Sequence, residues 1–406
     1  MEYALIGEHL GHSYSPEIHR MLRDYDYRLC ELSPTELPAY FARRDFKGIN
    51  VTIPYKQAVI PFCDTLGETA RRAGAVNTIV KRSDGTLFGE NTDLEGFQFM
   101  LREAEIDLTG RHVLILGGGG ASRTVQLAAA DAGANGVSVA DLGENVNYTN
   151  IYEHCRTAQV IINATPVGMY PKACDCLVEL SRFPALEAVV DLIYNPLRTC
   201  LLQQAERLNL RNINGLSMLV AQAAAAATLF TGEAQGTEEI TSIIANMYHN
   251  MENWVLIGMP GCGKSTIGTY LAWRSGRSFI DLDCEIERQV GESCNDILRQ
   301  RGESAFRDIE SRIAQEIGTK TGLVIATGGG TVLRDRNVTA LRQNSKLLWI
   351  RRDAAKLATE GRPLSVDVRA LEKVRTPAYE AAADAQISHN EDWEMLQQKA
   401  WEVFHT

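Results

Sequence analysis

Short apolar runs alternate with helically spaced stretches along the first hundred residues. Tyr3–Ile6, Gly48–Ile53 and Val76–Val80 are the apolar runs, and the alternation to about Arg102 predicts an α/β unit. The pattern then sharpens. Arg111–Leu116 predicts a strand, Gly117–Ser122 (G-G-G-G-A-S) a turn, the following residues to Ala132 a helix, and Gly136–Ala140 a second strand ending at Asp141. Further strands are predicted at Val160–Asn163 and Ala188–Leu192, and helices at about Thr199–Leu208 and Leu216–Phe230. A polar stretch, Thr231–Thr237, precedes a last helix to about Asn250, and Met251–Asn253 reads as a short hinge. Beyond it the strand-like run Trp254–Ile257 leads into Gly258–Ser265, and a helical pattern covers Thr266–Trp273.

Both glycine-rich turns carry chemistry. Gly258–Ser265, G-M-P-G-C-G-K-S, fits G-x-x-x-x-G-K-[ST] between a strand and a helix. Glycines let successive N–H groups (Gly258, Gly261, Cys262, Gly263) turn towards phosphate oxygens, while Lys264 neutralises the β/γ-phosphates. Ser265 can place its hydroxyl on Mg²⁺, and the helix beginning at Thr266 adds its N-terminal partial charge. This predicts an ATP site that begins a second domain. The earlier turn, Gly117, Gly118, Gly119, Gly120 and Ala121, with Ser122 where a third fingerprint glycine would stand, precedes an acidic residue at the end of the next strand. That is the dinucleotide-binding arrangement. The two nucleotide units are therefore in tandem and are not repeats of each other.

Length and composition narrow the setting. A chain of 406 residues predicts two or three domains, and a net charge of −10 argues against a general nucleic-acid surface. No apolar run approaches the length needed to cross a membrane; the alanine-rich Ala221–Ala227 reads as part of a buried helix. Nine cysteines without a C-x-x-C pair predict reduced thiols and a cytoplasmic setting. Cys174 and Cys176 lack His or Cys partners at zinc spacing.

Several motifs in the first half match one family jointly. They are S-Y-S-P at Ser13–Pro16 with His19 after it, N-V-T-I-P-Y-K at Asn50–Lys56, G-A-V-N-T at Gly74–Thr78 and N-T-D at Asn91–Asp93. N-A-T-P-V-G-M at Asn163–Met169, D-L-I-Y-N-P at Asp191–Pro196 and G-L-S-M-L-V-A-Q at Gly215–Gln222 follow. In this order they resemble shikimate dehydrogenase over residues 1–250. The resemblance implies a substrate-binding domain of residues 1–104 with 223–250, and a Rossmann domain of residues 105–222. Reducing a ring ketone by hydride needs a proton donor beside the carbonyl oxygen. The resemblance makes Lys56 and Asp93 that acid–base pair; in isolation they would read as a surface ion pair. It assigns Ser13 and Ser15, with Thr52 nearby, to the substrate carboxylate, and Asn77, Tyr194 and Gln222 to the ring, with Asn50 also contacting substrate. The chain departs from the family's Asn-Arg-Thr run after the second nucleotide strand, carrying Ala140-Asp141-Leu142 instead. An arginine there would receive the 2′-phosphate of NADP; an aspartate repels it and accepts from the ribose of NAD. The cofactor is thus NADP or NAD, with NAD favoured by Asp141. The stretch from Gly143 to Ala158 is short for a strand–helix crossover, which predicts a trimmed adenosine side.

The second half has motifs in the order shown by shikimate kinase. They are F-I-D-L-D at Phe279–Asp283, F-R-D-I-E at Phe306–Glu310, A-T-G-G-G at Ala326–Gly330, R-P-L at Arg362–Leu364 and R-T-P-A-Y at Arg375–Tyr379. The resemblance implies a P-loop kinase domain of the nucleoside-monophosphate-kinase type over residues 252–406. Phosphoryl transfer rests on positioning and charge stabilisation. Ser265 is then a direct Mg²⁺ ligand, Asp281 a ligand through water, and Asp283 the acceptor of the attacking hydroxyl's proton. Asp281 and Asp283, two apart, are expected to share one face of a strand. Arg307 and Arg375 would clamp the substrate carboxylate with Glu310 orienting Arg307, and Gly328, Gly329 and Gly330 would bring backbone amides to the ring. Arg362 resembles the lid arginine that meets the transferring phosphoryl group. The lid is short, Ser365 stands where a second leucine is usual, and no residue is assigned to stack on adenine.

The product implied for the first half is the substrate implied for the second. The combined reading is an enzyme that reduces 3-dehydroshikimate to shikimate and then phosphorylates its 3-hydroxyl with MgATP. Its partners are these small molecules, with no nucleic acid and no membrane. The alternative is an active kinase fused to a non-catalytic, or NAD-linked quinate- or shikimate-binding, domain.

Overall fold

The computed structural model describes residues 2–11, 13–353, 357, 368–388 and 392–405. It divides into two compact units: Met1–Met169 with Asp175–Tyr194 and Leu201–Met247, and Tyr170–Cys174 with Asn195–Cys200 and Tyr248–Thr406.

The first unit holds two sheets. One is built from β1 (Tyr3–Gly7), β2 (Tyr27–Glu31), β3 (Gly48–Val51), β4 (Thr65–Leu66), β5 (Thr78–Lys81) and β6 (Leu87–Glu90), in the order β2-β1-β3-β5-β6-β4. β1 and β3 are parallel, so the loops after Gly7 and Val51 leave the same edge. β5 runs antiparallel to β3, with Asn50 opposite Thr78, and β6 antiparallel to β5, with Thr78 opposite Glu90. The start of β5 and the end of β6 therefore meet the end of β3 at that edge. β3 stops two residues short of the predicted Ile53, whose side chain is 78% exposed where the chain turns away.

The other sheet is wholly parallel: β7 (His112–Leu116), β8 (Gly136–Ala140), β9 (Val160–Asn163), β10 (Ala188–Asp191) and β11 (Arg211–Ile213), ordered β11-β10-β9-β7-β8. Its inner strands β7, β9 and β10 are apolar because helices cover both faces. Val113 and Ile115 enter one core and Leu114 and Leu116 the other, the period-two alternation of a strand buried on both sides. Between β8 and β9 the only helix is Ile151–His154, against the twelve-residue helix Gly120–Asp131 between β7 and β8.

The second unit contains the third sheet, also parallel: β12 (Asn253–Ile257), β13 (Ser278–Asp281), β14 (Leu323–Ala326), β15 (Ser345–Arg351) and β16 (Ala385–Ser388), ordered β13-β14-β12-β15-β16. Trp254, Val255, Leu256 and Ile257 are fully buried in its centre. The expected hinge Met251–Asn253 shrinks to Glu252, because helix Thr237–Met251 and β12 take its two ends. Among the described residues no helix is long and apolar enough to cross a membrane.

Candidate active sites

In the first unit the edge shared by β3, β5 and β6 collects the polar side chains. The Lys56 ammonium donates to Asp93 Oδ2 at 2.7 Å, and the Asn77 amide donates to Asp93 Oδ1 at 2.9 Å. Asp93 opens the helix Asp93–Glu103, and its backbone N–H is held by Asn91 Oδ1 at 3.0 Å. Asn77 Oδ1 in turn accepts from Thr92 N at 2.8 Å, so the amide orientation is fixed from both ends. Asn77 Nδ2 also reaches Gln222 Oε1 at 3.4 Å. Gln222 comes from helix Leu216–Thr231, which approaches Asp93–Glu103 across Gly96. A Cβ there would lie 2.7 Å from Met218 O and 2.9 Å from Gln222 Cβ, so glycine permits the approach. Lys56 remains partly open to solvent while Asp93 is buried, which leaves the ammonium as the face of the pair towards a ligand.

Asn50 stands behind this group. Its oxygen accepts from Tyr27 OH at 2.7 Å, and its amide donates to Thr78 Oγ1 at 3.0 Å and to Asn77 O at 3.3 Å. The expected substrate contact is thus a buried brace, because both ends of the amide are engaged by protein. His19 completes the backing: it is buried, bonded through Nδ1 to Tyr25 OH at 2.6 Å, and stacked on Tyr27 at 3.8 Å. Burial lowers its pKa to about 3, against a smaller raising effect from the hydrogen bond with Asn50. Ser13 Oγ donates to Ser15 Oγ at 3.1 Å and accepts from Ser15 N at 3.2 Å. The edge of the Tyr14 ring packs on Tyr194 at 6.1 Å, which brings Tyr194 to the same segment. Thr52 N donates to Ile6 O at 3.0 Å, at the shared edge of β1 and β3.

At the end of β7, Gly117 has φ +98°, and a Cβ there would lie 2.7 Å from Thr165. Gly119 caps the helix Gly120–Asp131, and Gly119 and Gly120 have open space where a Cβ would stand. Ala121 lies in that helix's first turn. Asp141 Oδ2 accepts from Gly118 N at 3.0 Å and Oδ1 from Leu142 N at 2.8 Å. A Cβ on Gly118 would sit 2.6 Å from that carboxylate, so glycine is what lets Asp141 reach the turn. The turn faces the switch between β7 and β9, where doubly wound sheets take their ligands. The glycine turn fits the phosphates of a dinucleotide, with the Asp141 carboxylate at its mouth.

In the second unit a cavity of about 590 Å³ is lined by the P-loop, by Asp281 and Asp283, and by Arg307, Glu310, Gly328–Gly330 and Arg375. Gly258, Gly261 and Gly263 all have positive φ. Cys262, between them, is fully buried. Lys264 folds over the loop, donating to Gly258 O at 2.9 Å and Met259 O at 3.0 Å. Ser265 Oγ donates to Asp281 Oδ2 at 2.6 Å, and Thr266 lines the same cavity. This hydroxyl–carboxylate pair beside a phosphate loop is a donor set suited to Mg²⁺.

Asp283 does not share a strand face with Asp281. β13 ends at Asp281, whose Oδ1 accepts from Asp283 N at 3.1 Å and Cys284 N at 3.4 Å as the cap of helix Leu282–Val290. Asp283 therefore sits in a helical first turn, a consequence of the capping preference of aspartate. Withdrawal from bulk water in the pocket, then the Asp281 and Glu310 carboxylates, raise Asp283 to about 6; Lys264 and Arg307 oppose this.

Arg307 follows the break at Gly302 (φ +81°) in helix Cys294–Gly318 and donates to the buried Glu310 at 2.9 Å. Glu310 also accepts from Thr331 Oγ1 at 2.7 Å. The glycine wall is a close fit. A Cβ on Gly328 would meet Asp283 Oδ1 at 2.9 Å, on Gly329 Pro260 Cδ at 2.6 Å and Arg375 Nη1 at 3.0 Å, and on Gly330 Arg307 Nη2 at 2.3 Å. Tyr379 OH donates to Gly329 O at 2.5 Å, tying that wall to the helix that carries Arg375. Arg362 lies outside the described residues. Arg352 and Trp393 also line the cavity; no motif marked them, because strand and helix ends far apart in sequence deliver them.

The comparisons with known proteins fall on the same two halves. Residues 5–79 match the model of the shikimate dehydrogenase substrate binding domain, and residues 260–403 that of shikimate kinase. A shikimate dehydrogenase (NADP⁺) of Moorella thermoacetica is 36% identical over 258 residues, covering 56% of this chain and 87% of the relative. The chain belongs to the shikimate dehydrogenase family. Its C-terminal part is a shikimate kinase domain. Two solved shikimate dehydrogenases extend the likeness to structure. A chorismate mutase/shikimate 5-dehydrogenase fusion from Clostridium acetobutylicum is 33% identical with a TM-score of 0.57, covering 60% of this chain and 96% of that one. The shikimate 5-dehydrogenase of Listeria monocytogenes, in complex with shikimate and NAD, is 28% identical with a TM-score of 0.53, covering 60% and 96%.

Proposed function

We propose that this bifunctional shikimate-pathway enzyme reduces 3-dehydroshikimate at the Lys56–Asp93 site with NADH in preference to NADPH, and phosphorylates shikimate in the cavity around Asp283. The observation that carries the first activity is the 2.7 Å pair of Lys56 and Asp93, with the second carboxylate oxygen held by Asn77. A bound nicotinamide would supply the hydride for the ring carbonyl carbon. Lys56 donates the proton that the carbonyl oxygen takes up, and Asp93 keeps the ammonium aimed and relays its replacement. Asn77 and Gln222 orient the ring hydroxyls, and the Ser13–Ser15 hydroxyls receive the substrate carboxylate.

Support for NADH comes from Asp141 and from its surroundings. No lysine or arginine occurs between Arg123 and Arg156, the stretch that flanks the adenosine side. A 2′-phosphate would meet carboxylate there, whereas a ribose diol can donate to it.

In the second unit ATP supplies the phosphoryl group. Lys264 and the loop amides hold its phosphates, Ser265 and Asp281 hold Mg²⁺, and Asp283 accepts the proton of the attacking hydroxyl. Arg307 and Arg375 grip the substrate carboxylate.

Lys56→Ala tests the catalytic reading of the first site against mere binding. Dehydrogenase turnover should fall about 10²- to 10⁴-fold while shikimate still binds, and kinase turnover should not change. Unaltered reduction in the variant would assign the proton transfer elsewhere.

A further inference from the structure

We propose that Arg352 is a phosphate-binding residue of the kinase site, a second fixed cation that works across the P-loop from Lys264. The inference rests on the reading of this cavity as the ATP site.

The pairing of β12 with β15 sets the geometry. Parallel register places Ile257 opposite Trp349, so the residues after Trp349 run alongside the loop after Ile257. The contact is close: a Cβ on Gly258 would lie 2.5 Å from Ile350 O. Two residues further on, Arg352 leaves the strand end and donates from Nη1 to Gly261 O at 3.1 Å. A guanidinium has five N–H donors in a planar fork, and one is used here. Arg352 Nε is buried and, among the described residues, has no hydrogen-bond partner. Nor does any carboxylate among them lie within ion-pair distance of Arg352.

The cations of the cavity therefore divide. Arg307 is committed to Glu310 and Glu303, and Arg375 stands beside Gly329 on the glycine wall. Arg352 is tied to the phosphate loop itself and, among the described residues, has no carboxylate to compensate its charge. A P-loop presents its amides to phosphate and turns carbonyls outward. A guanidinium that holds one such carbonyl steadies the loop and leaves its other donors for an anion beside it. Phosphate oxygens suit that fork better than the adenine base does.

The experiment is calorimetric titration of the full chain and its Arg352→Ala and Arg352→Lys forms with MgADP and with adenosine. Shikimate KM and dehydrogenase rate serve as controls of fold. Loss of a charge-assisted contact predicts about a 10- to 100-fold weaker MgADP in Arg352→Ala. A smaller loss is expected in Arg352→Lys, with adenosine and shikimate KM unchanged. An unchanged MgADP affinity in Arg352→Ala, or an equal loss for adenosine, overturns the inference. Failure of the unaltered chain to bind MgADP overturns the ATP reading and this inference with it, which separates the two.

Discussion

Replacing Asp141 isolates the cofactor argument. Its carboxylate is anchored by Gly118 N at 3.0 Å and Leu142 N at 2.8 Å, so its charge has a fixed place at the mouth of the turn. A 2′-phosphate seated where a ribose hydroxyl would donate comes within about 4 Å of it. At that distance each unit of like charge costs about 1 kcal/mol in water and about 4 kcal/mol at an effective dielectric of 20. Asp141 is half-exposed, so the watery end applies. With nearly two charges on the phosphate the discrimination is about 2 kcal/mol, or roughly 30-fold. Asp141→Asn removes the charge and keeps the shape, so the NADPH/NADH ratio of kcat/KM should rise by about that factor. Asp141→Ala also removes the acceptor for ribose, and NADH should lose a further 10-fold or so. Initial rates at 340 nm with subsaturating cofactor give the ratio directly. A wild-type preference for NADPH, or a ratio unmoved in both variants, would refute the reasoning.

Other consequences are as specific. Gly330→Ala places a Cβ 2.3 Å from Arg307 Nη2, and Arg307 is buried against Glu310. The KM for shikimate in the kinase assay should rise about 10- to 100-fold with the dehydrogenase rate unchanged; an unaffected KM would remove Arg307 from the substrate carboxylate. His19 titrates at about 6.5 in an unfolded chain and at about 3 when buried here, so between those values the unfolded state binds the extra proton. Stability is therefore full above about 6.5 and declines as pH falls, by about 2 kcal/mol at pH 5 from this group. His19→Gln should lose that slope. All five tryptophans lie at or beyond Trp254, so their fluorescence follows the second unit, and far-UV circular dichroism supplies the remaining transition in which the slope is read. Equal pH slopes in the two proteins would contradict the burial argument.

What the sequence made legible follows from range. The inner strands of the two wholly parallel sheets are near-continuous apolar runs, and Val160–Asn163 stands where that pattern puts it, as does the edge strand Gly136–Ala140. β2 escaped because its Tyr-Arg-Leu-Cys-Glu is an edge strand with mixed exposure, without an apolar run. Asp281 and Asp283, two apart in sequence, do not share a strand face, because Asp281 caps the next helix. An aspartate that ends a strand and accepts from the amides two and three residues on starts a helix. Asn50 lies in the motif of Lys56, yet Tyr27 and Thr78 engage its amide, and neither neighbour is close in sequence. Arg352 was illegible for the same reason: the β12–β15 register creates its contact with Gly261. Motifs name residues, whereas non-local pairing decides which of their atoms remain free for a ligand.

The most direct test of the account is product analysis by mass. The full chain is incubated with 3-dehydroshikimate, MgATP and either NADH or NADPH. Shikimate 3-phosphate formed only with a reduced nicotinamide, and faster with NADH, is the predicted result. No shikimate with either cofactor, while added shikimate is phosphorylated, would contradict it and leave a kinase joined to a domain that binds without turnover.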